Sequence, residues 1–287
     1  MKNERLWNMS ILLILTVAII SCGEPQPVED DTSDITEIEV TQMDNPEENG
    51  FLYTLPSPLQ IASIFRRSGL TYIPNLANNP GNVSNYNTKF IQKLNFGAYA
   101  ADLAYSALNE QNQACIDYVQ AMSSLSESLW MTNVFSSVSI LNRFENNMGN
   151  SDSLGYIISD FQMELDNYLE ENGLSTNSLV IFTGAWIESM HLALQSVTDT
   201  PNPVLMSRMI EQKKILQDLI EILGKEEKDA ELDILMAGLV KIAGNFTSYD
   251  IEKVENEEDL AALTMSAEDI AALASDVEET RKFIING

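Results

Sequence analysis

Residues 90–108 read Phe-Ile-Gln-Lys-Leu-Asn-Phe-Gly-Ala-Tyr-Ala-Ala-Asp-Leu-Ala-Tyr-Ser-Ala-Leu, and this stretch decides the fold class. Phe90, Leu94, Ala101, Tyr105 and Leu108 follow at spacings of 4, 7, 4 and 3, which is the period of a helix. The stretch predicts one long amphipathic helix. Upstream, Ser57-Pro58 supplies an N-cap and a first-turn proline, Gly69 ends the helix they open, and an Asn-rich loop runs from Pro74 to Asn87. Downstream, the same periodicity predicts helices over 111–130, 135–148, 152–172, 178–197, 203–223, 227–244 and 267–285. Expected boundary signals are Ser151 before Asp152, Gly173 after Asn172, Pro203 near a start, Gly224 after Leu223, and a capping box at Ser266-x-x-Asp269. No segment sustains period-two alternation with β-branched enrichment, so no strand is expected. The predicted class is all-α: an antiparallel multi-helix bundle or stacked helical hairpins, because short connections make consecutive helices antiparallel neighbours. Internal repetition is faint. Gly97-Ala98-Tyr99 and Gly184-Ala185-Trp186 sit in two long helices without a fixed period, so a tetratricopeptide array is not expected.

Composition limits the function. Of 287 residues, 43 are Asp or Glu and 16 are Lys or Arg, for a net charge of −27. That sign repels phosphate backbones and anionic headgroups, so nucleic acid is excluded as a partner. One His cannot build a three-His zinc site or paired Glu-x-x-His motifs, and two Cys cannot build a disulfide framework or an iron–sulfur cluster. Phosphate-loop, dinucleotide and nucleophile-elbow glycine patterns are absent. No metal or cofactor is expected.

The amino terminus carries the most specific motif. Lys2 and Arg5 precede an apolar run from Met9 to Ile20, and Ile19-Ile20-Ser21-Cys22 follows as a lipobox. A run of this length falls short of the roughly 20 apolar residues needed to span a bilayer. The reading is therefore a lipoprotein signal peptide over 1–21 and acylation of Cys22, preferred over a plain secretory peptide with a chance cysteine. Residues 22–50 hold ten acids, no base and three prolines, so they are expected to form a disordered acidic tether. Residues 51–287 form the helical domain. Cys115 is expected to pack as a buried, inert thiol.

The lipobox, the acidic tether and the segment Phe96-Gly97-Ala98-Tyr99-Ala100-Ala101-Asp102-Leu103 resemble a family of uncharacterised Bacteroidota lipoproteins. Acids soon after the lipidated Cys, here Glu24, Glu29, Asp30 and Asp31, also resemble the surface-export signal of such lipoproteins. The resemblance implies an outer-membrane location and carries no activity with it.

Two helices are apolar around most of their circumference with one acid near the middle. Asp102 is the only charge from Leu94 to Leu108, and Glu188 the only formal charge from Asn177 to Val197, with His191 at i+3. A helix apolar all round is normally buried, and a buried carboxylate must be paired, hydrogen-bonded or protonated. Asp102, Glu188 and His191 are thus the possible ligand-binding residues. The plainer reading pairs the acids with Arg143, Arg66, Arg67 or tyrosine hydroxyls. Trp186, Trp130, Tyr99 and Tyr105 are expected in the core, and the acidic run Asp250–Asp259 reads as a solvated linker without a calcium-loop pattern. Two functions follow: a lipid-anchored, noncatalytic module binding an envelope protein or small ligand, and, as the alternative, a metal-dependent or hydrolytic enzyme using Asp102, Glu188 and His191.

Overall fold

Capping residues set where most of the helices begin in the computed structural model, which describes residues 55–131, 138–147 and 149–287. The signal peptide, Cys22, the acidic tether and the first residues of the helix expected from 135 lie outside the described residues. Ser57 and Gln60 close a reciprocal capping box that opens α1 (Pro58–Arg67). Thr88 caps α2 (Lys89–Leu108), and α3 (Asn112–Ser128) and α4 (Val138–Asn146) follow. Asn150, and not the expected Ser151, caps α5 (Ser151–Glu171), its side chain accepting from the Ser153 N–H. Then come α6 (Ser175–Asp199), α7 (Pro203–Leu223) behind the Asn202 cap, and α8 (Ala230–Gly244) behind Asp229. The acidic run is not wholly irregular. It holds a 3-10 turn (Ile251–Lys253) and a short α9 (Glu257–Ala261), although its acids stay exposed as a solvated linker requires. The Ser266–Asp269 capping box opens α10 (Ala267–Asn286). No strand occurs among the described residues, and the fold is an all-α multi-helix bundle.

α2 and α6 form its centre, with α1 and α3 against α2, and α7 and α10 against α6. Sequence reading noticed the paired Gly-Ala-aromatic motifs but found no period in them. Their reason is contact across the bundle. A Cβ built on Gly97 would lie 1.7 Å from the Ile181 carbonyl oxygen, and one on Gly184 1.9 Å from the Leu94 carbonyl oxygen. The two backbones therefore touch at a reciprocal crossing that no larger residue permits. Farther along, Asp102 lies against Glu188, and Thr71 links Tyr105 of α2 with Ser196 of α6. The central helices thus run in the same sense.

Between α1 and α2 the chain from Leu70 to Thr88 is a strap whose only regular element is a 3-10 turn (Pro80–Asn85). It follows Gly69, whose φ of +99° closes α1 and lets the Leu70 N–H reach the Phe65 carbonyl. Leu70 and Tyr86 are buried at the two ends of the strap, and Asn78 is buried at its middle.

Candidate functional site

Close approach of α2 and α6 buries whatever polar groups lie near the crossing. Asp102 is 0 % exposed and Glu188 1 %. α10 supplies their counter-charge: Arg281 reaches Glu188 through Nε at 2.6 Å and a terminal nitrogen at 2.8 Å, a bidentate fork. Burial opposes the charge on Arg281, but Glu188 outweighs it and holds the guanidinium above its ordinary pKa. Asp102 is satisfied on one side only. Its Oδ2 accepts the Asn78 N–H at 3.1 Å, while Oδ1, fully buried, meets no donor. Desolvation, then the adjacent charge of Glu188, push Asp102 well above the ordinary carboxylate range.

The strap is pinned over this acid pair by side chains from the helices beneath. Tyr118 donates to the Asn78 carbonyl at 2.9 Å and Tyr99 to the Asn79 carbonyl at 3.0 Å. Tyr105 donates to the Thr71 carbonyl at 3.0 Å and accepts the Ile73 N–H at 2.7 Å. The Asn78 amide donates to Tyr86 at 3.0 Å and to Asn95 at 3.1 Å, and Asn95 donates to the Ile284 carbonyl of α10 at 2.7 Å. Burial raises the pKa of Tyr99, Tyr118 and Tyr86, and takes Tyr105 up to about 12, so all four hydroxyls stay protonated. Buried polar groups cost free energy unless paired, so this network fixes the position of a loop with little helix of its own.

His191 lies one turn beyond Glu188. Its Nδ1 is 3.2 Å from a carboxylate oxygen of Glu278 on α10, and its buried Nε2 lacks a well-formed hydrogen bond. Burial lowers its pKa, against the pull of Glu188 and Glu278. Asp102, Glu188 and His191 thus belong to one buried neighbourhood, but they do not line an opening together. His191 turns to Glu278, Glu188 to Arg281, and Asp102 to the strap. Among the described residues no three His, Cys, Asp or Glu side chains are placed to hold a metal ion.

Three expectations are corrected. Arg143 pairs with Asp160 of α5, not with a buried acid, and Arg66 and Arg67 are exposed. The true partner is Arg281, which shares the buried stripe of α10 with Ile270, Leu273, Val277 and Ile284 and was not singled out. Trp130 is not core but 80 % exposed, whereas Trp186, Tyr99 and Tyr105 are buried as expected. Asn78, Asn95, Tyr86 and Tyr118 were not singled out, because pairing between loop and helix has no sequence period. Cys115 is buried, and desolvation pushes its thiol up to about 12, consistent with inertness.

Comparison of the chain with protein-family models, curated proteins and solved structures returns no significant match.

Proposed function

We propose that the protein is a lipid-anchored lipoprotein of the cell envelope whose helical domain is a noncatalytic binding module. On this reading Cys22 carries the acyl chains, the membrane is that of the outer envelope, and the partner is another envelope protein. The lipobox and acidic tether support the anchor. The observation that carries the noncatalytic part is the sealing of the one site-like cluster found among the described residues. Glu188 is neutralised by Arg281 at 1 % exposure, and Asp102 is covered by Asn78. A catalytic acid or metal ligand must reach substrate, and these groups are spent on one another. The alternative, a metal-dependent or hydrolytic enzyme built on Asp102, Glu188 and His191, has no comparable observation behind it.

The test is affinity purification of the tagged full-length protein from detergent-solubilised native membranes, beside a Cys22→Ser variant. The expected result is a stoichiometric envelope protein co-purifying with the anchored form, and release of the variant from the membrane. Recovery of the native protein from the soluble fraction with an unacylated amino terminus would overturn the reading.

A further inference from the structure

Two carboxyl groups and one guanidinium occupy the space between α2, α6 and α10. Both nitrogens of the Arg281 fork go to Glu188. Asp102 is left with one backbone N–H on Oδ2 and an unpartnered, fully buried Oδ1 beside Glu188. Among the described residues the other groups facing the pair add no second cation. α3 contributes Tyr118, α2 Tyr99 and Tyr105, the strap Tyr72 and Tyr86, α6 His191, and α10 Glu278, while Arg66 and Arg67 of α1 point to solvent. An anionic Asp102 would therefore be a second buried negative charge against a single positive one, with a lone pair aimed at another carboxylate. A proton on Oδ1 removes the surplus charge and turns the orphan acceptor into a donor to Glu188.

We infer that Asp102 holds a proton on Oδ1 that it donates to Glu188, and that this proton latches the strap 70–88 over the centre of the bundle. Closing the strap buries Asp102 under Asn78, and the buried acid keeps its proton; lifting the strap returns Asp102 to water, where it ionises. Opening therefore releases one proton. The device makes exposure of the polar centre, with its asparagines, tyrosines and charged groups, depend on pH: closed in mildly acid conditions and progressively freer as pH rises. It goes beyond the proposed function, since it holds whether or not the domain binds a partner.

Two measurements on the purified domain-bearing chain test it. Infrared difference spectroscopy should show a protonated-carboxyl stretch at neutral pH that shifts with carboxyl-¹³C aspartate and vanishes in Asp102→Asn. Hydrogen exchange, corrected for intrinsic base catalysis, should show protection of strap amides falling by up to about tenfold per pH unit from about pH 5 upward, as linkage of one released proton requires. Asp102→Asn, which keeps a donor and cannot ionise, should make that protection lose its fall. His191 biases the other way, losing stability as pH drops, so its contribution cannot imitate the predicted slope. Absence of an aspartate carboxyl band in the wild type overturns the inference without reference to any variant. Strap protection that does not vary with pH, or varies equally in Asp102→Asn, also overturns it.

Discussion

Trp130 occupies the left-handed region, φ 59°, at the position just past α3 where a glycine is usual. The Met131 N–H still bonds the Ser126 carbonyl at 2.8 Å, and Tyr168 donates to the Trp130 carbonyl at 3.0 Å, so the cap is held despite the side chain. Lys89 stands over the exposed ring, 5.2 Å from its centre. Left-handed backbone costs an L-residue roughly 1–2 kcal/mol, partly offset in a glycine variant by chain entropy. Trp130→Gly should therefore hold or raise stability, by up to about 1 kcal/mol in urea unfolding; a loss of 2 kcal/mol would show that the ring packs more than its exposure indicates. The titratable residues give a second expectation. Asp102 has a raised folded pKa, so its favourable contribution is complete below the ordinary carboxyl value and is lost as pH climbs through the folded one. His191 has a lowered folded pKa, so its contribution is present above the ordinary imidazole value and is lost as pH falls through the folded one. Urea midpoints should thus decline on both sides, and Asp102→Asn should flatten only the alkaline decline. Of the site, Asp102, Glu188 and His191 were legible because a lone charge in an apolar helix is conspicuous. Arg281 was not, because Asp276, Glu278, Glu279 and Lys282 around it make α10 read as an ordinary charged helix.

At the scale of elements, the glycines at the crossing matter more than any cap. A methyl at Gly97 or Gly184 meets backbone, which cannot rotate away. Gly97→Ala and Gly184→Ala should each cost about 3 kcal/mol, at the upper end of overpacking penalties, and the double variant should cost less than the sum because one separation of α2 from α6 relieves both. Strict additivity in chemical denaturation would mean that the helices do not touch there. Asn202 is a smaller hinge point. Its side chain accepts from the Val204 and Leu205 N–H groups at 3.1 Å and donates to the Ser68 carbonyl at 2.8 Å, joining the end of α1 to the start of α7. Asn202→Ala should cost about 1–2 kcal/mol, the usual value of a lost cap. Helix positions were legible from periodicity, with Ser57, Gly69, Pro203, Gly224 and Ser266 near the boundaries they predicted. What the sequence withheld was which helices meet. α2 and α6 are separated by three helices in the chain, and the Gly-Ala-aromatic echo was the sole trace of their contact.

For the whole molecule, the anchor and the bundle make separable predictions. Mass spectrometry of the native protein should find an acylated Cys22 at its amino terminus; an intact Met1 would end the lipoprotein reading. The central claim is that the buried acids hold the bundle together and do not serve a ligand. It is tested most directly by a double-mutant cycle on Glu188 and Arg281, read by urea unfolding at neutral pH. Glu188→Gln and Arg281→Met should each cost about 3–5 kcal/mol, because each leaves an unmatched buried charge, and the double variant should recover much of that loss. Single variants with unchanged or raised stability, and additive behaviour in the double, would contradict the account and return Glu188 to the ligand-binding residues.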